Sequence, residues 1–150
     1  MIFVTVGTTQ FDDLIQAVDQ VAAENNFAEK YVCQIGAGNY VPQYCAYFRY
    51  APSIEQQISK ADLVITHGGA TTLQLIKAGK RFVAIANTSL SDDHQSLFLR
   101  HLGKSAEIIW GRDPAQVGEL IKQALIAPQP KILAPSLAEA IITDVYRTQD

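Results

Sequence analysis

The segment from Asp62 to Thr72 constrains the fold of this chain more than any other. Residues 63–65 are apolar and rich in β-branched side chains, and a helical pattern at 70–78 follows after a few small residues. A short buried strand that turns directly into a helix is typical of α/β sheets. Gly68 and Gly69 allow a ligand to approach the backbone closely, and the first N–H groups of the helix face the same turn. The segment therefore predicts an anion site, and a phosphate fits it best.

Short apolar runs alternate with helical patterns along the rest of the chain. The sequence predicts six strands, at residues 2–6, 31–35, within 44–50, 63–66, 82–86 and 106–110. It predicts five helices: one capped by Asp12 or Asp13, one from a Ser53 cap to 60, one at 70–78 that closes at Gly79, one at 92–102, and one from Asp113-Pro114 to 127. This order predicts an α/β fold with a doubly wound, mostly parallel sheet. Ligands of such sheets bind beyond the carboxyl ends of the strands.

Three loops are expected to meet at that edge of the sheet. They are residues 7–10 after the first strand, 67–72 after the fourth and 87–95 after the fifth. Together they offer main-chain amides, hydroxyls, carboxamides and imidazoles, which suit a diphosphate joined to a polyol. The glycine pattern of dinucleotide sites does not follow the first strand, and the sequence contains no phosphate-binding loop of the nucleoside triphosphatase type. The pattern therefore favours a diphosphate ligand over a nicotinamide cofactor or a nucleoside triphosphate.

Composition narrows the classes of function. The chain has 150 residues, of which 48% are hydrophobic and 18% are charged, and we expect a single domain. The net charge of −3 and the lack of Lys and Arg clusters argue against a nucleic-acid partner. The first residues lack the pattern of a signal peptide, so we expect the protein in the cytoplasm. Cys33 and Cys45 are then expected to be buried or half-buried thiols.

Several motifs, in consistent order, resemble one family. They run from Phe3 to Ile15 (FVTVGTTQFDDLI), Ile65 to Ala70 (ITHGGA), Ala78 to Lys80 (AGK) and Asp93 to Gln95 (DHQ). Over residues 1–125 the chain resembles the glycosyltransferase family 28 C-terminal domain. Within that family it resembles the small Alg13-like and PssE-like (EpsF-like) subunits of two-chain GT-B glycosyltransferases. The resemblance implies that residues 1–150 form one Rossmann-like domain, which is the donor half of a GT-B enzyme.

The resemblance also implies an activity. The chain is expected to bind a nucleotide sugar, a UDP-sugar, without a cofactor, as the catalytic subunit of an inverting glycosyltransferase with a lipid-linked acceptor. An Alg14-like or PssD-like membrane-anchored subunit is expected to bind the acceptor, supply the general base and hold this cytoplasmic chain at the membrane. The sequence contains no Asp-x-Asp motif, the usual metal-holding device of the other large transferase architecture. We therefore expect transfer without a metal, because amides at a helix N-terminus can stabilise the leaving diphosphate.

Twelve residues are candidates for donor binding. The main chain of the two glycine-containing loops is predicted to hold the diphosphate, and the resemblance places Gln95 against hydroxyls of the donor. His67 is expected either to contact the ligand or to hydrogen-bond a neighbouring loop. The glycines of the two loops are expected either to let the ligand approach the backbone or to be required only by the turns and their packing. Asp93 is expected mainly as a helix N-cap. The twelve are Gly7, Thr8, Thr9, His67, Gly68, Gly69, Ala70, Thr71, Thr72, Gln74, His94 and Gln95.

One departure from the family pattern keeps other functions open. Family members commonly carry a ribose-binding glutamate at the position of Leu75, and Gln74 is the nearest polar substitute. The alternatives are a non-catalytic nucleotide-sugar-binding or scaffold subunit, and a self-associating structural protein. A homo-oligomer of the isolated chain is also left open. The aromatic residues between 40 and 50 are assigned to the core in preference to a nucleotide base or a partner. A C-terminal helix is predicted at 136–148, either folded back on the domain or docked on a partner.

Overall fold

A parallel six-stranded sheet organises the structure. The computed structural model describes residues 1–25, 30–89 and 93–127. In these residues the strands are Ile2–Thr5 (β1), Tyr31–Gln34 (β2), Ala46–Phe48 (β3), Leu63–His67 (β4), Phe82–Ile85 (β5) and Ile109–Gly111 (β6). Their order is β3-β2-β1-β4-β5-β6, and every neighbouring pair is parallel. The predicted doubly wound α/β sheet is confirmed.

The winding direction of the sheet reverses between β1 and β4. The chain moves from β1 to one edge through β2 and β3, then returns to β4 beside β1 and moves to the other edge. The loops that follow β1 and β4 therefore open at the topological switch point. That crevice is where open α/β sheets bind their ligands.

Helices cover both faces of the sheet. They are Asp12–Glu24 (α1), Glu55–Lys60 (α2), Thr71–Lys77 (α3), His94–Leu102 (α4) and Val117–Ile126 (α5), the last preceded by a 3-10 turn at Pro114–Gln116. Side chains alternate along β1, so that Ile2 and Val4 pack with α1 and α5 while Phe3 packs with α3 and α4. All three are fully buried. Burial of each such side chain contributes ~1.5–3 kcal/mol to the stability of the fold. The packed sheet thereby supports the loops at its edge.

Two helix ends form as the sequence predicts. At the end of α3, Gly79 adopts φ +67°, its N–H donates to Ile76 O, and the N–H of Lys80 donates to Leu75 O at 3.0 Å. This pair of bonds is the Schellman motif, which favours glycine because of the positive φ. Before the 3-10 turn, the Asp113 carboxylate accepts the N–H of Ala115 at 2.9 Å. The predicted end of α3 and the predicted Asp113-Pro114 start are both confirmed.

The side-chain cap predicted for α1 is wrong. Phe11 occupies the N-cap position, and no side chain makes a capping hydrogen bond there. Asp12 and Asp13 lie in the first turn, where their charge still favours the helix dipole. The Asp12 carboxylate instead accepts the N–H of Asn39 at 3.1 Å, so a contact with the loop after β2 replaces the local cap.

Two further caps differ in detail from the prediction. Ser53 does accept the N–H of Glu55 at 3.2 Å, but Ile54 occupies the N-cap position of α2. Asp93 does occupy the N-cap position of α4, with a left-handed φ of +49°, but its side chain makes no capping bond. Its carboxylate pairs with Arg112 at 2.6 Å, because that guanidinium reaches it from the end of β6.

The last strand lies further along the chain than predicted. Ala106, predicted as its first residue, donates its N–H to Leu102 O at 3.0 Å and still belongs to the turn that ends α4. The strand begins at Ile109, which aligns with Val83 of β5. The strand starts later than predicted because an apolar pattern does not show how many residues form the turn that ends the preceding helix.

The assignment of the aromatic segment to the core is wrong for three tyrosines. Tyr44, Tyr47 and Tyr50 are 47%, 47% and 58% exposed. For Tyr47 the reason is that β3 is an edge strand with one side turned to solvent. The assignment holds for Phe48, whose ring stacks on Phe3 with 6.2 Å between centroids, and for Tyr40, which packs against the core.

Both cysteines are buried free thiols, as predicted. No helix in residues 1–25, 30–89 and 93–127 combines the length and the apolar character needed to cross a bilayer. The helix predicted at 136–148 lies outside the described residues.

Candidate functional site

The loops after β1, β4 and β5 meet at the carboxyl edge of the sheet, as predicted. The side-chain amide of Asn87 donates to Gln10 O at 3.3 Å, which joins the β5 loop to the β1 loop. A Cβ placed on Gly7 would lie 3.7 Å from Nε2 of His67, so the β1 loop also borders the end of β4. Gly7 has φ +67°, a conformation that favours glycine and turns the chain sharply after β1.

Gln95 lies at the centre of this arrangement. Its Oε1 accepts the main-chain N–H of Gly68 at 3.0 Å and that of Asn87 at 2.8 Å. Its Nε2 lies 2.9 Å from Nδ1 of His67. One carboxamide from the first turn of α4 thus holds the ends of β4 and β5 together. The expected contact of Gln95 with donor hydroxyls stays a prediction.

His67 is the last residue of β4 and is half-buried between these loops. Burial lowers the pKa of its imidazole below the ordinary value of 6.5, since a charged ring loses solvation there. The ring is therefore neutral at pH 7. A neutral imidazole has one N–H donor and one acceptor nitrogen, and the contact with Gln95 involves Nδ1. The hydrogen bond predicted to a neighbouring loop is instead made to Gln95 in the first turn of α4. The predicted ligand contact of His67 stays a prediction.

Packing alone requires the two glycines after β4. A Cβ on Gly69 would lie 2.6 Å from Cε1 of His67. A Cβ on Gly68 would lie 2.9 Å from the Cβ of Gln95 and from a methyl of Leu99. Real Cβ atoms do not approach side chains this closely, so any larger residue would displace His67 or Gln95. The N–H of Gly68 is also engaged by Gln95 and is not available to a ligand.

The turn into α3 nevertheless presents main-chain donors at the same edge. The N–H of Thr72 donates to Gly69 O, and its hydroxyl donates to the same oxygen at 2.7 Å. In the described part of the chain, no acceptor pairs with the N–H groups of Gly69, Ala70 and Thr71. Unpaired N–H groups at the start of a helix are suited to an anion.

The other candidates of the β1 loop contribute mainly to its shape. The N–H of Gly7 donates to the Thr5 hydroxyl at 3.2 Å. Thr9 uses its hydroxyl to bond Val6 O at 2.8 Å, and its own carbonyl accepts the N–H of Ala37. Thr8 is exposed. Its hydroxyl has no hydrogen-bond partner among the described residues, so the Thr8 side chain is accessible to a ligand.

The remaining candidates lie on helices. Leu75 is fully buried among the side chains that pack between α3 and the sheet. Gln74 is exposed on α3, so the side chains of Gln74 and Leu75 lie on different faces of the helix. His94, the first residue of α4, is half-buried next to Gln95.

Sequence reasoning missed Asn87 and the cavity beside it. Asn87 is 4% exposed, and its side chain also accepts the Ser89 hydroxyl at 2.6 Å, so it shapes the β5 loop. A cavity of about 240 Å³ lies next to it, lined by Gln10, Phe11, Asp12, Asp13, Asn39, Asn87 and Ser89. The signal was present, because Asn87 is the first polar residue after a buried strand. Within residues 1–25, 30–89 and 93–127, no three His, Cys, Asp or Glu side chains form a metal-binding group.

Comparison with known families identifies this arrangement. The model of the glycosyltransferase family 28 C-terminal domain matches residues 1–125. The chain belongs to this family. The human UDP-N-acetylglucosamine transferase subunit ALG13 is 36% identical over 121 aligned positions, which cover 73% of this chain and 11% of the human protein. The chain therefore spans about a tenth of that relative's length.

Solved structures show the same fold. A solution structure of ALG13 superposes with a TM-score of 0.62 at 18% identity and covers 97% of this chain and 96% of that one. The crystal structure of MurG from Acinetobacter baumannii gives 0.63 at 15% identity, covering 97% of this chain and 44% of MurG. The predicted Rossmann-like fold of GT-B glycosyltransferases is confirmed.

Proposed function

We propose that this family 28 chain is the donor-binding catalytic subunit of an inverting, metal-independent glycosyltransferase. In this proposal the diphosphate of a UDP-sugar binds the N–H groups of residues 69–71 beside the neutral ring of His67. The observation that supports it is the convergence of these donors with the β1 loop at the switch point of the sheet. Anions bind at such edges because the N–H groups and the dipole of the helix both favour negative charge.

The chemistry follows from where charge develops. In glycosyl transfer the diphosphate leaves, and its oxygens gain negative charge in the transition state. Fixed N–H donors lower the barrier, because they bind these oxygens more strongly as the charge develops. They provide the charge stabilisation that a metal ion provides in other transferases. Inversion requires the acceptor hydroxyl to attack the anomeric carbon from the face opposite the diphosphate. A general base must take the proton of that hydroxyl, and we place this base on a partner subunit.

The names of the relatives suggest the donor and the assembly. The human relative is named a UDP-N-acetylglucosamine transferase subunit, so UDP-N-acetylglucosamine is the first donor to test. The word subunit agrees with a second chain, and we propose an Alg14-like or PssD-like membrane-anchored partner that binds a lipid-linked acceptor. This chain would then work in the cytoplasm at the membrane surface, held there by its partner. It would need no cofactor.

Calorimetry on the full chain tests donor binding. We expect UDP and UDP-N-acetylglucosamine to bind, with GDP-mannose as the matched control for a diphosphate sugar that carries another base. Binding should be unchanged by a chelator, since no metal takes part. Failure of both uridine ligands to bind would overturn the proposal.

A second candidate is a non-catalytic nucleotide-sugar-binding or scaffold subunit. Leu75 favours it, because this fully buried residue stands where family members commonly hold the ribose with glutamate. Co-expression with the membrane-anchored partner separates the two candidates. Sugar transfer to lipid by the pair, lost when this chain is omitted, supports the enzyme. Donor binding without transfer by the pair supports the scaffold.

A further inference from the structure

The side-chain amide of Gln95 has a fixed orientation. Two main-chain N–H groups, from Gly68 and Asn87, converge on its Oε1 at 3.0 Å and 2.8 Å. If the amide were turned over, its NH₂ group would face both donors, and two partly buried hydrogen bonds would be replaced by repulsion. The oxygen therefore faces the two main-chain groups. The amide nitrogen consequently faces His67.

This orientation determines what Nδ1 of His67 can do. The amide nitrogen of Gln95 lies 2.9 Å from Nδ1 and can only donate a hydrogen bond, so Nδ1 must accept that bond. Burial lowers the pKa of the ring, so at pH 7 it carries one proton. That proton must then be on Nε2. Nε2 borders Gly7, where the missing side chain leaves it open toward the β1 loop.

We propose that Gln95 is a positioning residue that fixes His67 as the Nε2–H tautomer and so directs a neutral N–H donor toward the anionic ligand between the β1 and β4 loops. The role of that N–H toward a diphosphate rests on the proposed function. The tautomer itself does not, because it follows from the contacts of the unliganded chain. In the other tautomer a lone pair on Nε2 would face the ligand and repel its phosphate oxygens.

Gln95 and His67 thus act as one unit across 28 residues of sequence. The donor comes from β4, and the group that orients it comes from the first turn of α4. The same amide also holds the β4 and β5 loops, so the direction of the N–H and the spacing of the loops are set together. Fixing a donor before the ligand arrives avoids the cost of reorienting it on binding.

Long-range ¹H–¹⁵N correlation spectra of the labelled full chain at pH 7 test this proposal directly. For His67 we expect a protonated Nε2 and an unprotonated Nδ1 in the absence of ligand. The reverse pattern, or fast averaging of the two nitrogens, would overturn the proposal. This measurement needs no variant and no ligand.

Gln95→Glu is the sharper perturbation. The carboxylate can still accept from Gly68 and Asn87, but it presents an oxygen to Nδ1, so the proton of His67 should move to Nδ1 or the ring should become doubly protonated. Gln123→Glu, an exposed change on α5 at the opposite face of the sheet, adds the same charge and should leave the His67 signals unchanged. A wild-type nitrogen pattern in Gln95→Glu would contradict the role of Gln95.

Binding of UDP to the same proteins separates this inference from the proposed function. We expect Gln95→Glu to weaken UDP at least about tenfold relative to Gln123→Glu, which corresponds to about 1.4 kcal/mol. Equal affinity of the two variants, with the tautomer moved as expected, would refute the ligand role of the Nε2–H. Failure of the wild type to bind either UDP or UDP-N-acetylglucosamine would refute the proposed function and leave the tautomer assignment standing.

Discussion

Substitution of Ala70 by proline tests the main-chain donors at the start of α3. Ala70 is exposed, has φ −61°, and its N–H has no acceptor in the described part of the chain. Proline requires φ near −65° and removes the N–H. The preceding residue is Gly69, whose backbone is the least restricted by a following proline. Ala70→Pro therefore deletes one N–H without breaking a hydrogen bond of the fold.

The expected effects on stability and on binding are opposite. A proline at a compatible position stabilises a protein by ~0.4–1 kcal/mol through the unfolded state, so the melting temperature should hold or rise slightly. A hydrogen bond to a charged group contributes ~1.5–3 kcal/mol, so losing one to a diphosphate should weaken UDP by about 10- to 100-fold. A substitution of Gly69 cannot separate the effect on stability from the effect on binding, because a Cβ at that position would displace His67.

Calorimetry with UDP and a thermal melt on each protein provide the measurement. Ala70→Val is the matched control, since it adds a side chain of similar volume and keeps the N–H. We expect Ala70→Val to bind UDP much more tightly than Ala70→Pro. Wild-type affinity of Ala70→Pro would refute the reasoning. In that case the N–H of residue 70 would not be a diphosphate donor.

Two further predictions concern buried positions. Asp19 is 2% exposed and accepts the Tyr40 hydroxyl and two main-chain N–H groups; burial alone would raise the pKa of its carboxyl, but these bonds hold it below its ordinary value of 3.8. The stabilisation from the charged Asp19 is therefore present above pH 3.8 and is lost as the pH falls through the folded-state pKa. Asp19→Asn should cost ~2–3 kcal/mol of unfolding free energy at pH 7, measured in urea, and the variant should lose less stability than the wild type on acidification below pH 3.8. Equal stability of the two proteins at pH 7 would contradict this. Leu75→Glu introduces the glutamate that the family resemblance leads us to expect at this position, but it places a carboxylate where the side chain is fully buried. It should therefore lower stability by ~3 kcal/mol or more and give no tighter UDP binding. Gln74→Glu is the exposed control for stability, and tighter UDP binding by a stable Leu75→Glu protein would show that α3 turns position 75 toward the ligand.

The sheet and the meeting of the loops were predictable because both depend on regular chemistry. Buried parallel strands are short apolar runs, and alternation with helices leaves few ways to arrange them. Once the sheet is doubly wound, strand ends separated in sequence must share an edge. The contact of Asn87 with Gln10, 77 residues apart, is a direct consequence.

Tertiary contacts decided what the sequence did not predict. Asp12 and Asp13 are equally good caps by local rules, yet Asp12 bonds the loop after β2, which no local rule includes. The exposure of Tyr47 depends on β3 being the edge strand, and a three-residue strand is too short to show an alternating pattern. The bond between Gln95 and Gly68 spans 27 residues and engages a main-chain group, so no side-chain pattern indicates it.

The contacts of Gln95 also limit what it can offer to a sugar. A carboxamide has two acceptor lone pairs and two N–H groups. The N–H groups of Gly68 and Asn87 use both lone pairs, and His67 uses one N–H. If Gln95 contacts a donor hydroxyl while these bonds persist, it can do so only by donating its second N–H to the hydroxyl oxygen.

UDP-sugars with one altered hydroxyl check this limit. Fluorine accepts a hydrogen bond weakly and hydrogen does not, so at the hydroxyl that Gln95 contacts the fluoro analogue should bind better than the deoxy analogue. In Gln95→Ala that difference should disappear at this position and persist elsewhere. If the fluoro and deoxy analogues lose affinity equally at every position, the sugar hydroxyls act only as donors, and Gln95 then serves the loops and His67 but not the sugar.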